Sequence, residues 1–262
     1  MEKKLVFHNV NDSIATIYLN NQPANALSTK VLSELERNVD EVIANDDVKV
    51  IVVTGEGKMF AAGADIKEFT EVFDNSLQGI EMAKNAQRIF RKIEQSNKPV
   101  IAAINGACLG GGLELAMSCH LRVSANEALL GQPETNLGLI PGFGGTQRLT
   151  RLVNPAKAIE LTIFGENING EEAERIGLVN LSVALDDLME TTMHWASKIV
   201  KTKSGHTTAK LLEAVYRPIN GQDQDLDGLD HEAEIFGELF SISDTREGVN
   251  AFIEKRKAVF TK

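Results

Sequence analysis

Val100-Ile101-Ala102-Ala103-Ile104-Asn105-Gly106-Ala107-Cys108-Leu109-Gly110-Gly111-Gly112-Leu113-Glu114-Leu115-Ala116-Met117 is the stretch whose reading decides the fold. Pro99 opens an apolar run, Val100–Ile104, with the length and bounding residues of a buried strand. The glycines then lead into a short helix through Met117. Strand, glycine-rich turn and helix in direct succession form the unit of an α/β protein. The stretch is no membrane span, because Asn105, the glycines and Glu114 interrupt it.

The same alternation extends upstream. Leu5–Val10 and Ser13–Leu19 read as strands joined at Asn11-Asp12. Ser28 is placed to cap a helix whose Val31, Leu32, Leu35, Val39, Val42 and Ile43 share a face. Val48–Val53 is a buried strand ending at Thr54-Gly55, and Ala83, Ala86, Ile89, Phe90 and Ile93 mark another amphipathic helix. This predicts an α/β core with parallel pairing. Beyond about residue 145 the strand signals fade. Thr146–Leu152, Pro155–Phe164, Glu171–Ile176, Leu185–Val200, His206–Tyr216, Leu226–Phe240 and Thr245–Val259 all read as helices. The expected division is a core over residues 1–199 and a helical region over 200–262, with no sequence repeat and no long linker.

The 262 residues are 43% hydrophobic and 24% charged, ordinary for a globular protein, and the formal net charge is −10. That balance argues against a nucleic-acid surface, and an anionic ligand would need local Lys or Arg. No basic segment followed by an apolar run opens the chain, so no secretory signal is expected. Cys108 and Cys119 form neither a disulfide framework nor a metal-ligand spacing. They read as small core thiols in a reducing, cytoplasmic setting, where the Asn11-Asp12-Ser13 glycosylation pattern has no meaning. The length leaves no room for an added dehydrogenase domain, so no NAD site is expected.

Two carboxylates stand out. Glu114 follows three glycines within an apolar run, and Glu134 follows Leu130-Gly131-Gln132-Pro133. A buried carboxylate neutralises or finds partners, and two at one site titrate as a pair that offers one acid and one base. Each could equally be a surface or satisfied buried residue. Gly110-Gly111-Gly112 lacks the third glycine of a dinucleotide fingerprint, since Leu115 holds that place. What remains is a bare helix N-terminus able to hold an oxyanion, or a glycine contact for close packing. Phe60-Ala61-Ala62-Gly63-Ala64-Asp65-Ile66-Lys67-Glu68 is a small-residue turn through which a ligand can approach backbone N–H groups. Asp223-Gln224-Asp225-Leu226-Asp227-Gly228 with Glu234 matches a calcium loop. It is rejected because Leu226, Leu229, Ala233, Phe236 and Phe240 keep a helical period through it. No metal site is therefore expected, and the scattered histidines and serines support no hydrolase triad.

Taken together, Ala61–Glu68, Asn105–Ala116, Gly131–Glu134, Pro141–Leu149 and the tail Glu247-Gly248 through Ala251–Arg256 resemble the crotonase superfamily, with the motifs in order over nearly the whole chain. With both glutamate positions filled, the sequence is most similar to its enoyl-CoA hydratases. The resemblance implies a spiral of ββα units with a helical C-terminal trimerisation region, assembled as a homotrimer or homohexamer. It implies an oxyanion hole at the Ala64 and Gly111 N–H groups, with Glu114 as base and Glu134 as acid in the addition of water to a trans-2-enoyl-CoA. Gln132 and Gly142 would support them. Ala24, Ala26, Leu27 and Ala62 would line the CoA channel, and Asp65, Ile66 and Lys67 its adenine side. Lys67 and Lys255 or Lys257 would meet phosphate, and Val72–Gly79 with Phe143 would form the pocket floor. CoA would be part of the substrate and no cofactor is implied. Isomerisation, decarboxylation or a branched enoyl-CoA hydration are alternatives within the superfamily, and an RNA-binding homologue is disfavoured by charge. One departure is His120, where the family commonly has Asp.

Overall fold

The structure, a computed structural model, describes residues 4–70, 72–216 and 228–260. The chain begins with the hairpin β1 (Val6–Asn11) and β2 (Ile14–Leu19), then α1 (Thr29–Ala44). As expected, Ser28 caps α1, its hydroxyl oxygen accepting from Val31 N at 3.3 Å. The stripe Val31, Leu32, Leu35, Val39 and Val42 is buried. Next come β3 (Val50–Gly55), β4 (Met59–Ala61), α2 (Ile66–Phe69) and α3 (Ser76–Glu94). They are followed by β5 (Val100–Ile104), β6 (Ala107–Leu109), α4 (Gly111–Ser118), β7 (Leu121–Ala125) and β8 (Leu130–Gly131). A 3-10 turn at Pro133–Leu137 precedes α5 (Gly145–Val153), α6 (Pro155–Phe164), α7 (Gly170–Arg175) and β9 (Leu181–Val183). Among the described residues four helices follow: α8 (Leu185–Thr202), α9 (Gly205–Val215), α10 (Gly228–Leu239) and α11 (Ser243–Ile253).

Six strands form one sheet in the order β1-β2-β3-β5-β7-β9, antiparallel only between β1 and β2. β4, β6 and β8 form a second, parallel sheet. In each of the pairs β3/β4, β5/β6 and β7/β8 the first strand joins the large sheet and the second the small one. This is the spiral of ββα units that the resemblance implies. The repeat is one of backbone path, which is why no repeat shows in the residues.

The apolar runs in β3 and β5 follow from burial on both faces. Ile51, Val53, Val100, Ala102 and Ile104 face the main core with α1, α3 and α4. Val50, Val52, Ile101 and Ala103 face α8 through Leu188 and Ala196. Each such Val or Ile contributes about 1.5–3 kcal/mol by leaving water. Gly112 sets α4 against β4. A Cβ there would stand 2.1 Å from Ala61 O, so only glycine permits the contact.

Several strands escaped the sequence reading: β4, β6, β7, β8 and β9. Apart from β7 they hold three residues or fewer, too few for a periodic signal. β9 also corrects the expectation that strands end by residue 145. In β7, buried Arg122 breaks the apolar pattern. Its guanidinium donates to Leu178 O at 2.9 Å and Cys119 O at 2.6 Å. No described helix is long and apolar enough to cross a membrane. Asp223–Asp227 of the calcium-like pattern, and the expected start of the helix at Leu226, lie outside the described residues.

Candidate active site

Three backbone segments meet at the N-terminus of α4. Ala62 N donates to Ala24 O at 2.9 Å and Leu27 N to Gly63 O at 2.8 Å, so Ala24–Leu27 runs alongside Ala62–Ala64. Gly110 N donates to Gly131 O at 2.9 Å, which brings Gln132 and Glu134 to the same place. A Cβ built on Gly111 would lie 3.3 Å from Ala64 N, so these two residues are in contact. Gly111 N opens α4, where first-turn N–H groups have no intrahelical acceptor and the helix dipole favours negative charge. Among the described residues, neither the Ala64 nor the Gly111 N–H donates to a backbone acceptor.

Glu114, in the first turn of α4, is 1% exposed. Its Oε1 accepts from Phe143 N at 2.7 Å and Gly145 N at 2.6 Å. Burial, and then the charge of Glu134, raise its pKa from 4.5 to about 7, against the pull of those two amides and of Arg148. Glu134 sits in the 3-10 turn with its Oε1 against Gly110, where a Cβ would stand 2.8 Å away. Burial raises its pKa also, opposed by its own backbone N–H. Gln132 is fully buried, and its Nε2 donates to Gly110 O at 3.1 Å. Two buried acceptors here, Gln132 Oε1 and Glu134 Oε2, have no hydrogen-bond donor. A Cβ on Gly145 would lie 2.4 Å from Gln132 Oε1 and 2.9 Å from Glu114 Oε1, so that amide and carboxyl meet there, within reach of the Glu134 charge. A narrow cleft beside it is lined by Leu27, Ala64, Asp65, Phe69, Met82 and Phe143, among others.

The remaining residues named from the sequence fall as follows. Ala26 O accepts from Asn21 Nδ2 at 2.8 Å, which ties the Ala24–Leu27 segment to the turn before it. Asp65 caps α2, its Oδ1 accepting from Lys67 N at 3.1 Å, while Ile66 and Lys67 are exposed beside the cleft. Gly142 bonds neither carboxyl; its carbonyl accepts from Gln87 Nε2 at 2.7 Å, and the support comes from the next residues of the loop. Phe143 lines the cleft as expected, but Val72–Gly79 does not, and Phe73 and Leu77 are about 70% exposed. The tail around Lys255 and Lys257 makes local contacts, Arg256 pairing with Glu247 and Glu254 at 2.6 Å each. His120, the departure from the family pattern, is hydrogen-bonded through both ring nitrogens. Val100 N donates to its Nδ1 at 2.9 Å, which leaves the proton on Nε2 to reach Glu94 O at 3.2 Å. Burial lowers its pKa and keeps the ring neutral.

Sequence reasoning missed the Phe143 and Gly145 amides, and Arg148 and Glu94 behind them. Arg148 Nε and Nη2 donate to the two Glu94 carboxylate oxygens, each at 3.0 Å, and Nη1 donates to Phe143 O at 3.1 Å. The available signal was an arginine on an otherwise core-facing helix position, beside Leu149.

Residues 9–262 match the family described as enoyl-CoA hydratase/isomerase. A Bacillus subtilis protein named Probable enoyl-CoA hydratase is 46% identical over 96% of both chains. A Clostridium acetobutylicum protein named short-chain-enoyl-CoA hydratase is 42% identical over 98% of this chain and 97% of its own. Among solved structures, an enoyl-CoA hydratase subunit from Geobacillus kaustophilus superimposes with a TM-score of 0.89 at 36% identity, covering 98% of each chain.

Proposed function

We propose that this chain, which belongs to the enoyl-CoA hydratase/isomerase family, reversibly adds water to the conjugated double bond of a trans-2-enoyl-CoA to give the 3-hydroxyacyl-CoA. One observation carries the reading: a buried and a half-buried carboxyl, both held above their ordinary pKa, lie at the N-terminus of α4 where two backbone N–H groups are unpaired. The relatives named as hydratases support it.

The thioester oxygen accepts from the Ala64 and Gly111 N–H groups at the positive end of α4. Such donors strengthen as the enolate develops and contribute about 2.7–4 kcal/mol each. Glu114 takes a proton from water as its oxygen bonds to the β-carbon, and Glu134 gives its proton to the α-carbon. The pair ends with its single proton moved from Glu134 to Glu114. The reverse reaction starts from that second arrangement, and burial of both carboxyls raises the pKa of each so that the pair can hold its one proton. The acceptors without donors, Gln132 Oε1 and Glu134 Oε2, suit the task of holding the water.

Ala24, Ala26, Leu27 and Ala62 line the CoA path, and Asp65–Lys67 flanks the adenine, with exposed Lys67 as a phosphate partner against the net charge of −10. The reaction needs no cofactor beyond the CoA of its substrate. We propose the cytoplasm as its setting and a homotrimer or homohexamer as its assembly, built on the region from residue 200 onward. The exposed Leu211, Phe236, Phe240 and Phe252 support such an assembly.

Loss of the conjugated ultraviolet absorbance of crotonyl-CoA tests the reading, with Glu134→Gln in parallel. Rapid loss that falls by several orders of magnitude in the variant is expected. No loss, with CoA-ester binding established separately, would overturn it.

A further inference from the structure

Glu114 owes its two amide donors to the loop Gly142–Gly145, and the question is what holds that loop. Gly144 has φ +113°, a left-handed value that glycine alone adopts without strain. The Arg148 guanidinium packs directly on it; a Cβ at Gly144 would stand 2.2 Å from Nη1. From there Nη1 grips the Phe143 carbonyl at 3.1 Å, while Nε and Nη2 form the bidentate pair with Glu94, the last residue of α3. The loop is thus clamped from both sides. Its carbonyl is bonded to Arg148 and its N–H groups to Glu114 Oε1.

We infer that Glu94 and Arg148 form a positioning pair that fixes the Phe143 and Gly145 amides on Glu114 and, through those amides together with the Arg148 charge, sets the proton affinity of that carboxyl. The inference rests on the hydratase reading only in its activity measurements. Neither residue lines the narrow cleft described above. Arg148 is 8% exposed, and such a cation needs a fixed counter-charge. Several titratable groups surround the chain of contacts. Glu114 faces Glu134 and Arg148. Tyr216 faces Glu94, Arg122, Cys119 and Arg148, and Cys119 faces Arg122 and Arg148. His120 Nε2 reaches the Glu94 carbonyl at 3.2 Å.

The sign of the effect separates positioning from simple packing. Arg148→Met keeps the stem but removes the cation and the bond to Phe143 O, both of which favour ionised Glu114, so Glu114 should titrate at higher pH. Glu94→Gln keeps the shape and removes the anion that neutralises Arg148. The uncompensated cation should then move Glu114 to lower pH. A pair that only added stability would loosen the same loop in both variants and move the titration one way.

The test is the pH dependence of kcat for crotonyl-CoA hydration, together with a carbon-13 titration of the Glu114 carboxyl assigned by Glu114→Gln. Opposite shifts in the two variants are expected, with kcat reduced about 10–100-fold and KM within about twofold. If Arg148→Met does not fold, Glu94→Gln alone carries the test through its downward shift, which a loosened loop would not give. A lowered melting temperature with an unmoved titration, or shifts of one sign, would overturn the inference. A wild type inactive on enoyl-CoA esters, whose Glu114 titration nonetheless moves as stated in the variants, would sink the hydratase reading and leave the positioning intact.

Discussion

Replacing Glu114 by Gln should make the protein more stable at neutral pH while removing its activity, and the size of that gain follows from the site. Glu114 is 1% exposed, and its pKa is raised from 4.5 to about 7, chiefly by burial. Between those two values the folded chain holds a proton that the unfolded chain has released. Stability therefore falls as pH rises through the window, and the full loss is present above about pH 7. At ~1.36 kcal/mol for each pH unit, the span from 4.5 to about 7 corresponds to about 3 kcal/mol. Gln carries no charge, and its amide oxygen can still accept from Phe143 and Gly145 N–H, so the variant escapes this loss. Urea unfolding of both proteins at matched protomer concentration, from pH 5 to pH 8, is the assay. The difference between variant and wild type should grow by about 3 kcal/mol toward alkaline pH and be small near pH 5. A flat difference across the range, or a wild type that is the more stable at pH 8, would refute the claim that this carboxylate is held in a desolvated site against its ionisation.

Glycines on two helices should respond oppositely to alanine. Gly112→Ala puts a Cβ 2.1 Å from the backbone oxygen of Ala61, so urea or thermal unfolding should report a loss of about 1–3 kcal/mol or more. Gly79→Ala, in α3 with nothing within 4 Å, should gain about 0.5–1 kcal/mol. His120→Ala strips the partners from Val100 N and Glu94 O, and unfolding should register a loss of about 1–3 kcal/mol. An unchanged midpoint would mean that solvent replaces the ring.

The elements that could be read in advance are those whose residues alone carry a period. Pro155–Phe164 and Val100–Ile104 appear with the expected bounds, because a whole helical face or a strand buried on both sides writes its environment into the residues. The sheet β4-β6-β8 left no such trace. Its strands of two or three residues exist only because the spiral brings them edge to edge. Glu114 and Glu134 were likewise conspicuous, since a carboxylate in glycine-rich apolar surroundings is costly.

What the sequence by itself determined is therefore the alternating α/β core, the run of C-terminal helices and the presence of two carboxylates in costly surroundings, each a property of residue type at local spacing. Only the tertiary structure decided which N–H groups hold Glu114. It is not Gly142 but Phe143 and Gly145, clamped from behind by an arginine and a glutamate 54 residues apart. Backbone donors look alike in every residue, so nothing local marks them. Their direction is set by Gly144 at φ +113° and by packing across the chain, and these arise only once the spiral has closed.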